Sequence, residues 1–400
     1  MVPTPQALDD MLVLDLTTIV SGGTVTSILA DFGARVIKIE NPQGGDPLRA
    51  WGPTKNGVSL WWKVVSRNKQ SITLNLRDPR GQDLVKRLVA KADVLVENFR
   101  PGTMERWHLG YEALAAINPG LVMVRISGFG QTGPYRDRPG FGTVAEAMSG
   151  FVALSGFPGG PPVLPPMPLA DEVCGLFAAM AAMIALHHRD RRGGLGQEID
   201  ASLYEPLFRL LVPNVSQFAL LGEVQPRTGN RFAGGAPRNL YRSQDDEWVA
   251  ISATTQRTFE RLAQTMDRAD LLADPRFAGN LNRVANVEAL DAIIQEWMGA
   301  RPLDEILRQL EEAEAVAGPV YDVRRILSDP HYRDRGDVIT VADPDVGDLP
   351  MPGVIPKLSQ TPGHVSHAGP RLGEHNETIY GDVLGLSGDV RATLAREGVI

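Results

Sequence analysis

Asp171 stands where a carboxylate could do covalent chemistry. It follows the Pro- and Gly-rich stretch from Gly156 to Pro168 and precedes an uncharged run, Val173 to Leu186, closed by His187, His188 and Arg189. That spacing predicts a long helix opening at Asp171. An acid at such an end meets unpaired backbone N–H groups and the positive end of the helix dipole, which favour its ionised form. A run this apolar reads as a buried helix, so its start belongs at the floor of a cleft. An ionised, partly desolvated carboxylate there can attack an activated carbonyl. Taken alone, the residue type favours a plain N-cap over a nucleophile, and the rest of the chain decides between the two roles.

Basic residues are the second chemical signal. Arg35, Lys38, Arg67, Lys69, Arg77, Arg100 and Arg106 fall near the ends of predicted strands and in the loops leaving them. Open α/β sheets bind ligands at strand ends, and a ligand with several phosphates would use such groups. Ser21-Gly22-Gly23 after the first strand, with Glu40 ending the second, suggests a dinucleotide site. The G-x-G-x-x-G spacing fails, because Thr24 and Ser27 stand where glycines are needed. No Walker lysine, G-x-S-x-G elbow or His-Glu-x-x-His pair occurs, so no metal site is expected. Cys174 is the single cysteine, which rules out an intrachain disulfide and fits a reducing compartment. A formal net charge of −8 without a long Lys/Arg run argues against a nucleic-acid partner. The first residues lack the pattern of a signal peptide, and 173–186 is too short to cross a bilayer. A cytoplasmic protein without membrane contact is therefore expected.

These residues need elements to hold them. Met11–Ile19, Arg35–Glu40, Ser71–Leu76, Asp93–Phe99 and Leu121–Ser127 read as strands, and Thr24–Phe32 and Asp78–Ala92 as helices. Strands separated by helical stretches imply a doubly wound, Rossmann-like parallel sheet covered on both faces. Further on, the pattern predicts a strand near Ala201, a helix from Ser202 to about Leu221, a strand at Trp248–Ser252 and mostly helix over 256–316. The economical division is a large α/β domain over 1–224, a smaller α+β domain over 225–325, and a segment over 326–400 returning to the first.

Several ordered motifs then resemble one family. Val-Leu-Asp-Leu-Thr (13–17), Leu-Ala-Asp-Phe-Gly-Ala-Arg-Val-Ile-Lys-Ile-Glu (29–40) and Gly-Asp-Pro-Leu-Arg (45–49) are similar to the opening of the family III CoA-transferases. So are Asn-Lys-Gln-Ser-Ile-Thr-Leu-Asn-Leu (68–76), Val-Glu-Asn-Phe-Arg-Pro-Gly (96–102) and Ile-Ser-Gly-Phe-Gly-Gln-Thr-Gly-Pro-Tyr (126–135). Arg-Pro-Gly-Phe (138–141), Gly-Gln-Glu-Ile-Asp-Ala-Ser-Leu-Tyr-Glu (196–205) and Leu-Gly-Glu-His (372–375) complete the set. The group also includes the α-methylacyl-CoA racemases.

The resemblance implies that Asp171 is the nucleophile, that coenzyme A is a substrate rather than a bound cofactor, and that two copies form an interlocked homodimer. Ile19, Val20, Ser21, Leu74, Asn75, Leu76 and Arg77 would line the nucleotide cleft. Asn98, Phe99, Arg100 and Arg106 would hold adenine and phosphates, and Pro139, Gly140, Phe141 and Gly142 would face the pantetheine. The partners implied are an acyl-CoA, with succinyl-CoA a candidate donor, and a small carboxylic acid. Val20, Asn41 and Gly142 depart from the formyl-CoA transferase pattern, and its glycine loop has only Gly234-Gly235 as a counterpart. Those departures bear on the acid accepted, not on the nucleophile. A racemase needs a base where Phe141 and Gly142 stand, which favours transfer. A 2-methylacyl-CoA racemase, or a non-catalytic CoA-binding subunit of a heteromeric transferase, are the alternatives.

Overall fold

Strands buried on both faces need no polar side, and the apolar runs of this chain assemble accordingly. The computed structural model describes residues 6–400. Its main sheet has six strands: β1 (Leu12–Asp15), β2 (Arg35–Glu40), β3 (Lys69–Thr73), β4 (Val94–Glu97), β5 (Val122–Ser127) and β6 (Glu198–Ser202). Their order is β3-β2-β1-β4-β5-β6, and every neighbouring pair is parallel. The expected doubly wound α/β fold is present. The order reverses between β1 and β4, so the loops leaving those strands diverge and open a crevice.

The helices that cover this sheet or border its crevice include α1 (Ser21–Asp31), α2 (Pro79–Val89), α3 (Gly142–Met148) and α4 (Leu169–Arg191). Alternate strand residues face opposite sides. Val13, Val36, Val96 and Val124 pack on Val25 and Leu29 of α1 and on Ala178 and Ala182 of α4. Leu14, Ile37, Leu95 and Met123 pack on Leu84 and Leu88 of α2 and on Ile379 and Tyr380 from the C-terminal segment. That segment is tied to the sheet by the Tyr380 hydroxyl, which donates to the Thr73 carbonyl at 2.7 Å.

Helix α4 departs from expectation in three ways. It starts two residues before Asp171, with Pro168 at the N-cap position and no side-chain cap, so Asp171 is not the cap residue. It is 23 residues long, and by length and composition alone it could cross a bilayer, unlike the shorter stretch considered from sequence. It is also buried on one side only. Ala170, Cys174, Gly175, Ala178, Ala182 and Ala185 face inward, whereas Leu176, Met180 and Ile184 are exposed. The small residues let α4 approach α1 closely, as befits a helix packed in a core. A Cβ on Gly175 would lie 2.8 Å from the Ser21 carbonyl oxygen. The predicted helix over 202–221 is two helices, Glu205–Arg209 and Asn214–Leu221. Pro213 lies between them and lacks the N–H that a continuous helix would use.

The chain divides into two compact units. One runs through to Val152, resumes over Leu164–Ser216 and closes with His331–Ile400; the other comprises Ala153–Val163 and Gln217–Pro330. Within the second, β7 (Arg238–Arg242), β8 (Trp248–Ser252) and β9 (Ala317–Pro319) form an antiparallel sheet with β8 central. Phe259, Leu262, Ile294 and Ile306 from the intervening helices fill its core. Every residue of the candidate site lies in the first unit.

Candidate active site

The loop leaving β1 is held from below by buried charge. Lys38 Nζ lies 3.2 Å from Asp15 Oδ1 and 3.1 Å from Asp46 Oδ2, and it donates to the Thr17 carbonyl. Lys69 Nζ meets the other Asp15 oxygen at 3.1 Å. Burial alone would raise the Asp15 carboxyl. Lys38, Lys69 and the hydroxyls of Thr17 and Thr26 outweigh it and hold the group well below the usual carboxylate range. Asp46 also accepts from the Ile19 N–H at 3.1 Å and from Leu48 N–H at 2.9 Å. Ile19 has φ of 66°, a left-handed conformation costly for a β-branched residue, and the Asp46 bond helps to maintain it. From β4, Asn98 clamps the same loop, accepting from Thr18 N–H and donating to the Thr18 carbonyl, both at 2.8 Å.

This arrangement corrects part of the sequence reading. Lys38 and Lys69 are consumed in internal ion pairs, and Arg67 pairs with Asp31 at 2.5 Å. Arg35 begins β2 and bonds Gln70, at the opposite end of the strand from Glu40. None of these four is available to a ligand at the crevice. Glu40 is bound by Arg49 at 2.7 Å.

Two cavities flank the β1 and β4 loops. The first, about 490 Å³, is lined by Leu74, Asn75, Leu76 and Arg77 together with Thr17, Asn41 and Asp46. Phe99 and Trp107, edge to face with centroids 5.1 Å apart, supply an aromatic wall. The second, about 600 Å³, brings together Ile19, Val20, Ser21, Asn98, Phe99, Arg100, Pro139, Gly140, Phe141, Gly142 and Asp171. Thr18 and Phe99 line both, so the two adjoin at the switch point. Of the residues that the family resemblance assigned to the site, all but one therefore border these cavities. Arg106 does not; its guanidinium bonds the Thr103 hydroxyl at 2.8 Å on a short exposed turn of helix.

Asp171 lies in the second cavity against backbone. A Cβ on Gly142 would fall 2.1 Å from Asp171 Oδ2, so the carboxylate occupies the space a side chain at 142 would take. Its carboxyl is pushed up to about 6, first by burial and then by the neighbouring acids Glu146 and Glu172, with partial relief from its own backbone N–H. Among the described residues, none of the groups acting on it is a cation. The expectation that the helix end simply favours ionisation is thus corrected. Asp171 is still mostly ionised at neutral pH but poorly stabilised, which makes it a candidate functional group in the cleft.

Sequence reasoning missed Glu146, Arg136 and Arg138, which line the same cavity. Glu146 is only 3% exposed, and its Oε1 accepts from the Ala170 N–H at 3.3 Å. A signal existed. Once a helix is placed from Gly142, position 146 falls on the same face one turn later. Arg138 stacks over Tyr135 with the guanidinium carbon 3.6 Å from the ring centroid. Deeper down, Glu97 is pushed up to about 7 by burial despite its bond to Arg125 at 2.7 Å.

A model of the family described as CoA-transferase family III matches residues 8–376. A succinyl-CoA–D-citramalate CoA-transferase of Chloroflexus aurantiacus is 46% identical over 397 residues, covering 99% of this chain and 98% of its own. The alpha subunit of a succinyl-CoA–L-malate CoA-transferase from Chloroflexus aurantiacus is 41% identical, covering 96% and 90%. Among solved structures, a CaiB/BaiF family protein from Brucella suis superposes with a TM-score of 0.83 at 34% identity, covering 95% of this chain and all of that one.

Proposed function

The chain belongs to CoA-transferase family III, and from that premise we propose that it moves CoA from succinyl-CoA to a small hydroxy-dicarboxylic acid of the malate or citramalate kind. The observation that carries the proposal is the Asp171 carboxylate, seated against Gly142 in a cavity that adjoins the β1–β4 crevice, with no cation among the groups that act on it. The named relatives supply the substrate class.

The chemistry follows from the residue type. The Asp171 carboxylate adds to the thioester carbonyl, and the C–S bond breaks to release CoA thiolate and leave an acyl-aspartyl anhydride. The thiolate then attacks the Asp171 carbonyl, freeing the donor acid as its carboxylate and forming an aspartyl-CoA thioester. An acceptor carboxylate attacks that thioester, and thiolate leaves again. Attack of the thiolate on the acceptor's carbonyl gives the new acyl-CoA and restores Asp171. Anhydride and thioester both hydrolyse readily, so the cavity has to exclude water and retain free CoA. Leu74 to Arg77, with the Phe99–Trp107 pair, suit the nucleotide end. Arg100, Arg136 and Arg138 bring positive charge toward phosphates and the acceptor's second carboxylate.

Phe141, whose ring accepts no proton, and Gly142, which has no side chain and no room for one, stand where a racemase needs its base. This favours transfer over racemisation. As part of the same reading, two copies of the chain form the working enzyme, and its pool of CoA thioesters is cytoplasmic. Mass spectrometry of exchange between a panel of acyl-CoAs and acids tests the proposal. Succinyl-CoA with malate or citramalate should exchange, and Asp171→Asn should lower the rate by at least about a thousandfold while CoA still binds. Exchange at wild-type rates in Asp171→Asn sinks the mechanism, and rapid α-deuteration of a 2-methylacyl-CoA in deuterium oxide moves the protein to the racemase branch.

A further inference from the structure

We propose that Glu146 is a positioning residue for the reaction, which takes up the Ala170 amide at the start of α4 and sets a second negative charge beside Asp171. The inference rests on Asp171 being the nucleophile.

Three observations converge. Gly142 and Glu146 lie four residues apart on α3, so they share the face turned toward the start of α4. The first of them yields its side-chain space to the Asp171 carboxylate. The second reaches the Ala170 N–H, one of the first-turn amides that have no partner within the helix. A carboxylate at a helix start ordinarily gains from such amides. Here an acid from another helix takes one of them, which leaves Asp171 with its own backbone N–H and free lone pairs.

Packing alone does not call for an acid at 146. A glutamine would accept the same bond from Ala170 without placing a carboxylate in a buried position where, among the described residues, it makes no ion pair. Retaining the negative charge makes Asp171 more basic, and a more basic carboxylate is the better nucleophile toward a thioester. The surrounding groups agree with this reading. Glu172 faces α1, where it accepts from the Thr24 hydroxyl at 2.9 Å, and it too acts on Asp171. Cys174 lies one turn on, its thiol pushed up to about 12 by burial and by the charges of Asp171 and Glu205. The cavity's cations, Arg100, Arg136 and Arg138, line its wall and are not among the groups that act on Asp171.

The test titrates Asp171 directly. Protein labelled with ¹³C at the aspartate side-chain carboxyl is followed across the acid range, and the Asp171 signal is assigned by its loss in Asp171→Asn. In Glu146→Gln the Asp171 midpoint should fall by about half a unit or more, as expected when a like charge is removed. The acid limb of kcat/KM for acyl-CoA should move with it, while KM changes less than twofold. Glu146→Ala, which also leaves the Ala170 amide without its acceptor, should lose about a further tenfold in kcat. An unchanged midpoint in Glu146→Gln overturns the proposal, whatever the activity. A midpoint that moves in protein exchanging CoA between no acyl-CoA and acid supports the charge coupling and removes the transferase reading instead.

Discussion

Under the loop leaving β1, Asp15 and Asp46 share Lys38, and Lys69 completes the set. At the start of α4, Glu146 and Glu172 act on Asp171 with no cation among them. Both groups are substantially buried in the same unit, yet their chemistry is opposite. The paired acids serve as architecture: they hold Thr17, Ile19 and Leu48 in the shape the crevice needs. Asp171, raised by burial and by neighbouring acids, has a labile charge and remains reactive. Burial by itself therefore says little about role, whereas the partner of a buried acid says much.

Substitution should separate the two groups by sign. Asp15→Ala leaves Lys69 without its carboxylate partner and Lys38 with Asp46 alone, and should lower stability by about 3–5 kcal/mol, read by denaturant unfolding. The depressed Asp15 carboxyl contributes stability that is present above its ordinary range and lost as pH falls through its folded value. Asp171 is the reverse case. Its carboxyl is raised, so ionising it in the folded protein works against stability above about pH 6. Asp171→Asn should therefore keep or raise the melting temperature at neutral pH. A loss there equal to that of Asp15→Ala would erase the distinction.

Within the unpaired group, Gly142→Ala sharpens the point. The new methyl group would sit 2.1 Å from where Asp171 Oδ2 lies, so the carboxylate must move. Displacements of this order cost about a hundredfold in rate. Steady-state kinetics should show that loss in kcat with the melting temperature nearly unchanged. The pH profile is a smaller effect. Attack needs ionised Asp171, so kcat/KM should fall about tenfold per unit below about pH 6 and level off above it. A profile flat down to pH 4 would mean that Asp171 does not limit the reaction. Last come the arginines. Arg100→Ala, on the cavity wall, should weaken CoA about tenfold by calorimetry. Arg106→Ala, bonded to Thr103 outside the wall, should change it less than twofold.

Much of the fold was legible because it is written in local patterns. β2 and β8 form over the residues that alternation and apolar content indicate, Arg35–Glu40 and Trp248–Ser252. Pro213 was a visible break within the predicted 202–221 helix. The apolar run of α4 concealed its two faces, because small and large apolar residues count alike in hydropathy but pack differently. Lys38 and Lys69 looked like ligand groups because their partners lie far along the chain, Asp15 being 23 and 54 residues away. Glu146 escaped notice because an acid in a helix usually faces water; only the placement of α3 against the start of α4 gives it a role.

The proposed mechanism requires Asp171 to form a covalent bond with the acyl group and then with CoA. Protein mixed with succinyl-CoA, quenched in acid within a single turnover and digested, should yield the peptide bearing Asp171 with the added mass of a CoA thioester. Hydroxylamine should convert it to the aspartyl hydroxamate, and Asp171→Asn should carry neither. Rapid exchange of CoA with an unmodified Asp171 peptide at every quench time would contradict the account.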